Sequence, residues 1–206
     1  MRARLIITFL LLFPIVNIFY SCVCNVITKY ENYSHTTLLL KNLDNSGEKA
    51  IETESLQINK NSYGIRLYLT REKSIIACIK QKKIDFIQSA YAQDVICPPE
   101  YIFSPDDSIV SIKIVTINSF DNQHSENSDI SDYFRVAHSY STIENYVANM
   151  LYTYPSDSEV FFEDKLSIDL LLMTTSTTNN KQQFEVQVAL SDGRVLKQQT
   201  LEIELL

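Results

Sequence analysis

The alternation of apolar and polar positions predicts a chain built mainly from β-strands. From Ile65 to Thr70, Ile, Leu and Leu alternate with Arg, Tyr and Thr, the period of two expected of a strand with one buried face. A second alternation runs from Phe184 to Leu190 and ends at Asp192-Gly193, a dipeptide typical of the type I′ turn of a β-hairpin. We therefore predict a C-terminal hairpin whose returning strand carries Val195, Leu201, Ile203 and Leu205.

The most strongly strand-forming stretch is the run from Ile109 to Ile117, in which Lys113 is the only charged residue. Apolar residues occupy both parities of this run, which predicts a central strand covered on both faces. Shorter apolar runs, bounded by turn-forming residues, predict further strands at 35–43, 74–79 and 166–173.

One stretch, residues 141–152, has the period of an α-helix. Ser141 and Glu144 fit a capping box at its start, and Pro155 follows as a stop signal. The apolar positions of this stretch share one face, which predicts packing against the core by Ile143, Tyr146, Val147, Met150 and Leu151.

Together these elements predict a mainly β fold, an antiparallel β-sandwich of the immunoglobulin-like or transthyretin-like kind with one short helix. The regular alternation of strands and helices that a parallel sheet requires is missing from the sequence. We expect a single domain over 35–206, which is long enough to bury a sizeable core.

The N-terminus has the layout of a secretory signal. Arg2 and Arg4 form a basic start, and the residues at 5–18 are almost all apolar. This apolar run is shorter than the roughly 20 residues of a typical membrane-spanning helix. The sequence therefore predicts export from the cytoplasm.

The residues after the apolar run predict a lipid anchor. Ser21 precedes Cys22, and a small residue before a cysteine at this place resembles a bacterial lipobox, where the signal is cut and the cysteine is acylated. We predict a signal peptide at 1–21, lipidation of Cys22 by palmitate-type chains, and a tether at 22–34 that holds the protein at a membrane. An uncleaved anchor, or a signal cut elsewhere, would be the alternatives.

Composition narrows the classes of partner. The chain has 206 residues and a formal net charge of −7, which argues against binding to nucleic acid or directly to anionic lipid head groups. Three glycines are too few and too scattered for a glycine-rich phosphate loop. We expect no cofactor.

Three further cysteines would remain after acylation of Cys22. A compartment outside the cytoplasm permits a disulfide among Cys24, Cys78 and Cys97. We predict that Cys97 pairs with either Cys24 or Cys78, which leaves one thiol over.

The polar stretch from Asn118 to Asp132 predicts a long loop, and such loops are often functional. Its carboxylates are of the type that calcium accepts, but their spacing matches no EF-hand, so we expect a solvated loop and no metal. The weak candidate ligands are Asp121, Glu126, Asp129 and Asp132.

Several short motifs carry a resemblance to a known family. They are Ser-Ala-Tyr-Ala at 89–92, Cys97-Pro98, the strand at 112–117 and the Asp-rich loop that ends at 128–132. In this order, after an acyl cysteine, they resemble a family of uncharacterised Bacteroidetes cell-envelope lipoproteins. The resemblance implies a lipid-anchored β-sandwich of the cell envelope, in the outer membrane, and supplies no active site.

The sequence leaves three classes of function. We expect a non-catalytic domain that binds or scaffolds an envelope protein partner. The first alternative is a glycan-binding module of a nutrient-uptake system, against which the absence of Trp counts. The second alternative is a hydrolase, which would need a pocket with convergent acids; none of His35, His124 and His138 lies in a catalytic motif.

Overall fold

A computed structural model describes residues 28–74, 100–153 and 164–206. The chain divides into two compact units, residues 30–76 with 102–206 and residues 1–29 with 77–101, and the packing discussed below belongs to the first. The predicted signal peptide, strand 74–79 beyond its first residue, and the stop at Pro155 lie outside the described residues. So do Cys22, Cys24, Cys78 and Cys97, and with them the predicted lipidation and disulfide.

The described residues form twelve β-strands, one α-helix and one short 3-10 turn. The strands are β1 (Thr28–Asp44), β2 (Ile51–Thr53), β3 (Gln57–Ile58), β4 (Tyr63–Lys73), β5 (Glu100–Pro105), β6 (Ile109–Thr116), β7 (Phe134–Val136), β8 (Lys165–Leu172), β9 (Lys181–Gln182), β10 (Phe184–Leu190), β11 (Val195–Gln199) and β12 (Ile203–Leu205). The helix is α1 (Ile143–Thr153), and the 3-10 turn is Ser131–Tyr133.

Three sheets organise these strands. The largest has the order β2-β1-β4-β8-β7, in which each neighbouring pair is antiparallel, and β5 lies beside β1. The second has the order β11-β10-β6 and is also antiparallel. In the small third sheet, β12 lies antiparallel to β9 and parallel to β3. The predicted mainly β, antiparallel sandwich with one helix is confirmed.

The inner faces of the large and second sheets share one apolar core. On β4, Ile65, Leu67 and Leu69 are fully buried, as the predicted alternation requires, and the alternate residues of β10 are buried as well. Phe184 of β10 stacks on Tyr63 of β4 with ring centroids 5.5 Å apart. Burial of large side chains at about 25 cal/mol per Å² drives this packing.

The strand β6 differs from its prediction as a central strand. It has β10 on one side and stands at the edge of its sheet, and Val110 and Lys113 are exposed on its outer face. The prediction of cover on both faces is wrong because β-branched residues suit a pleated surface whether or not the outer face is buried.

The C-terminal hairpin is confirmed, with a different turn. The N–H of Gly193 donates to the oxygen of Leu190 at 3.0 Å, and the N–H of Leu190 donates to the oxygen of Arg194 at 2.9 Å. Gly193 has a φ of 90°, whereas Asp192 is not in the left-handed region, so the loop has three residues and a glycine bulge in place of a type I′ turn. The returning strand ends at Gln199, and Ile203 and Leu205 belong to the third sheet.

The helix α1 closes one side of the core. The N–H of Asn145 donates to Oγ1 of Thr142 at 3.2 Å, so Thr142 caps the helix in place of the predicted Ser141. Ile143 and Val147 are buried in the shared core, as predicted. Within the described ranges, no helix combines the length and apolar character needed to cross a membrane.

Candidate functional site

A groove with a volume of about 460 Å³ lies between the first half of β6 and the first two turns of α1. We call it the β6–α1 groove. Its apolar lining comes from both elements, namely Val110 and Ile112 of β6 and Ile143, Val147 and Ala148 of α1. Of these, Val110 is 53% exposed.

Backbone hydrogen bonds show which way the edge of β6 faces. Just past the strand, the N–H of Ile117 donates to the oxygen of Gln183, toward β10, at 2.8 Å. The N–H of Thr116 donates in the other direction, to the oxygen of Ser128, at 3.0 Å. Because backbone groups alternate sides along a strand, Ile112, Ile114 and Thr116 turn their N–H and C=O away from β10, whereas a register shift interrupts the ladder between Ile109 and Ser111.

The loop segment 127–131 covers this edge only in part. It reaches as far as Ile114, whose oxygen accepts from the N–H of Ile130 at 2.9 Å and whose N–H donates to Oγ of Ser131 at 2.8 Å. The chain then leaves the edge through the 3-10 turn that begins at Ser131. Two residues back along β6, Ile112 presents its N–H and C=O on the same edge, and no described strand pairs with it there.

The rim of the groove is acidic. Asp129, Asp132 and Glu144 line it, against the single basic residue Lys113. Glu144 lies in the first turn of α1, where a carboxylate is stabilised by the helix dipole. The groove therefore combines a backbone edge, apolar side chains and negative charge, which suits an extended peptide with apolar and basic side chains.

The sequence does not predict the groove. It predicts a solvated loop in which Asp129 and Asp132 are only weak candidate calcium ligands, and it predicts that Val110 and Lys113 lie in a strand covered on both faces. The signal that could have revealed the groove is Lys113 itself. A single charge in an apolar run indicates that its side chain, and those of the residues alternating with it, face solvent.

A second polar cluster is buried at the turn after β5. The main-chain N–H of His35 donates to the carboxylate of Asp107 at 2.9 and 3.0 Å, and Nδ1 of the imidazole lies 2.9 Å from Oδ1. Arg194 donates both to this carboxylate and, at 2.9 Å, to the oxygen of His35. Asp107 thereby links β1, the turn after β5 and the C-terminal hairpin.

This cluster borders a cavity of about 170 Å³ that His35 shares with Ser104 and Ser108. An imidazole beside a carboxylate and a hydroxyl is the arrangement of nucleophilic hydrolases. Among the described residues, however, no hydrogen bond joins either hydroxyl to the imidazole. The carboxylate oxygens of Asp107 are occupied by main-chain and guanidinium donors, so the cluster ties strands together.

The acidic loop contains a third cluster. The carboxylate of Asp121 accepts from the N–H of Gln123 at 2.8 Å and of His124 at 2.7 Å, and from the hydroxyl of Tyr133 at 3.1 Å. Partial burial raises the pKa of Asp121, but the hydrogen bonds from His124, Gln123 and Tyr133 outweigh it and lower the pKa to about 2. Burial, and then the neighbouring Asp121, raise the pKa of the Tyr133 hydroxyl.

The four candidate calcium ligands are not gathered. Asp121 is engaged within its own turn, and Oδ1 of Asp129 accepts from the N–H and hydroxyl of Ser131 at 3.0 and 2.6 Å. Across the described ranges, no group of three or more His, Cys, Asp or Glu residues could hold a metal ion. The polar loop itself is confirmed.

A fourth cluster lies on the outer face of the large sheet. Arg66 of β4 makes a two-point ion pair with Asp169 of β8, at 2.6 and 2.7 Å, and lies 3.2 Å from Glu52. The hydrogen bonds with Asp169 raise the pKa of Arg66, and the hydroxyl of Tyr68 lowers the pKa of Glu52. Two-point ion pairs of this kind between neighbouring strands stabilise the sheet.

Comparison with curated proteins finds no match, and comparison with solved structures finds none either. Residues 35–201 match a domain of unknown function, DUF5034. This match covers the helix, the groove and the described strands other than β12 and the start of β1, and it spans most of the chain. The chain therefore belongs to the DUF5034 family of domains of unknown function.

Proposed function

We propose that this protein is a non-catalytic binding domain that recruits a protein partner through the β6–α1 groove. The observation that carries the proposal is the backbone edge at Ile112, which opens into a groove with apolar walls. Unpaired strand edges are templates for pairing, and proteins normally shorten, cover or charge them. Here the loop 127–131 covers half of the edge and the other half faces the groove.

The buried ionisable groups support a non-catalytic role. Asp107 is 1% exposed and is bonded to His35 and Arg194, and the carboxylate of Asp121 is bonded within its loop. The contacts of Asp107 join segments that are distant in the sequence, and those of Asp121 hold its own loop. Their geometry is that of structural links, which place the strands around the groove.

We further propose that the domain works outside the cytoplasm, in the cell envelope, held at a membrane by acyl chains on Cys22. The basic start, the apolar run and the Ser21-Cys22 pair support this placement. An anchored binding domain would hold its partner near the membrane surface, without itself entering the bilayer.

The test is site-specific photo-crosslinking in intact cells. A photoreactive phenylalanine analogue replaces Val110, which lines the groove and is 53% exposed. The matched control carries it at Val195, which is 48% exposed on β11, at the opposite edge of the same sheet. We expect a discrete protein adduct from position 110 that is absent from position 195. Equal adducts from both positions, or none from position 110, would contradict the proposal.

A further inference from the structure

We infer that the β6–α1 groove binds its partner by strand addition, and that the bound segment is extended and alternates apolar with basic side chains. This inference rests on the proposed function and names the chemistry of the partner. In strand addition, main-chain hydrogen bonds supply affinity, and the side chains of alternate residues supply specificity.

The protein already makes such a pairing on the same edge. Segment 127–131 lies beside β6, with Asp129 bridged antiparallel to Val115. The N–H of Ile130 donates to the oxygen of Ile114 at 2.9 Å. The edge is therefore accessible to a neighbouring backbone, and Ile112 is the next position at which an incoming segment would find an N–H and a C=O.

The dimensions of the groove fit a short peptide. Successive residues of a strand advance by about 3.3 Å, so the stretch from Val110 to Lys113 pairs with about four residues of an incoming segment. A volume of about 460 Å³ lies within the range of roughly 300–1,000 Å³ found for ligand pockets. The exposed Val110 of β6 and Ala148 of α1 would meet the apolar side chains of the segment.

The negative charge of the groove favours basic side chains at the positions of the segment that alternate with its apolar ones. Asp129, Asp132 and Glu144 line the groove with only Lys113 to oppose them. A lysine or arginine on the incoming segment would face at least one carboxylate, whereas an acidic segment would meet repulsion. A second copy of this chain is disfavoured as the occupant, because at a net charge of −7 it would bring like charge to the groove.

The first arm of the test compares two synthetic probes against the full chain, purified from membranes in detergent. One is an eight-residue peptide that alternates valine and lysine, and the other alternates valine and glutamate. Fluorescence anisotropy should show that the lysine peptide binds at least about tenfold more tightly, which corresponds to about 1.4 kcal/mol. Equal affinity of the two peptides, or no binding of the lysine peptide, would overturn the inference.

The second arm tests the backbone pairing itself. In a strand, the N–H groups of alternate residues point to the same neighbouring strand. Methylation of the nitrogens of one set of alternate residues therefore removes the hydrogen bonds to β6, whereas methylation of the other set leaves them in place. We compare the lysine peptide methylated on every valine nitrogen with that methylated on every lysine nitrogen. One of the two should lose binding while the other keeps it. Equal loss or equal retention would contradict strand addition.

The third arm locates the site with matched variants. Glu144→Lys reverses a charge in the groove, and Glu202→Lys makes the same change at an exposed position outside it. Only Glu144→Lys should weaken binding of the lysine peptide, and urea unfolding would verify that both variants fold. If the two methylated peptides differ in affinity but Glu144→Lys does not weaken binding of the lysine peptide, the peptide binds outside the groove and the inference is wrong.

The two proposals fail in different ways. If position 110 crosslinks a protein in cells while the methylated peptides bind alike, the groove binds its partner through side chains and only strand addition is wrong. If position 110 yields no adduct, the proposed function fails, whatever the peptides show.

Discussion

At the scale of single residues, the polar side chains of this protein mainly join segments that are distant in the sequence. Asp107 is the clearest case, since a turn residue after β5 accepts from the main chain of His35 and from Arg194 of the C-terminal hairpin. The sequence alone could not show the burial of Asp107. Its partners are separated from it by 72 and 87 positions, and no local pattern encodes such a contact.

The Asp121 turn supplies a prediction about pH. Its pKa is about 2 in the folded protein against an ordinary value of 3.8, so the ionised form is stabilised by folding. This stabilisation is fully present above the ordinary pKa and is lost as pH falls from about 4 toward 2. Asp121→Asn should therefore lower the urea midpoint at pH 7, and the gap to the unaltered protein should narrow as pH falls from 5 to 3.

The control for this prediction is Asp132→Asn, which removes an exposed carboxylate at the end of the same loop. It should change the midpoint less at pH 7. If the difference in urea midpoint between Asp121→Asn and the unaltered protein stays constant from pH 5 to pH 3, the carboxylate charge of Asp121 is not responsible for the loss of stability.

At the scale of elements, local sequence patterns predict the strands and the helix better than they predict which strands lie beside one another. The alternation in β4 and β10 and the apolar face of α1 were predictable because each has a period that one segment carries alone. The cap at Thr142 and the bulged hairpin turn depart from the prediction by one residue, since alternatives of similar chemistry lie side by side. The edge position of β6 depends on which strand lies beside it, and no property of β6 alone specifies that.

Gly64 of β4 gives an element-scale prediction. A Cβ at this position would lie 2.9 Å from the main-chain oxygen of Leu170 and 3.0 Å from Cδ2 of Leu171, both on the neighbouring strand β8. The backbone oxygen cannot move without disturbing the β4–β8 ladder. Gly64→Ala should therefore lower the free energy of unfolding by about 1–3 kcal/mol, the usual cost of overpacking, as measured by urea denaturation.

Gly47→Ala is the matched control, because the nearest atom to a Cβ there, the oxygen of Lys49, is 3.9 Å away. That substitution should change the free energy of unfolding by no more than about 0.5 kcal/mol. If the two variants were equally stable, the close approach of β4 and β8 at Gly64 would not be limiting.

At the scale of the whole molecule, the proposed function combines an anchor predicted from the sequence with a groove seen in the structure. The candidate anchor could be predicted because a signal and an acylation site are linear motifs, which need no fold to be recognised. The groove could not, because it is formed by β6, α1 and the loop 127–131, which meet only when the sandwich is assembled. The proposed role as a membrane-held binding site would require both parts.

The anchor carries the last prediction. Cys22→Ala should shift the protein from the membrane fraction to the soluble fraction and change its electrophoretic mobility, because the acyl chains and the processing that follows their attachment are lost. Cys24→Ala is the matched control, a cysteine two positions further on that should leave both properties unchanged. The photo-crosslink at position 110 adds a functional measurement: if the partner is itself in the membrane, the adduct should fall in the Cys22→Ala background, although the groove is intact. Retention of the Cys22→Ala protein in the membrane with unaltered mobility would exclude acylation at Cys22 and leave an uncleaved N-terminal anchor as the explanation.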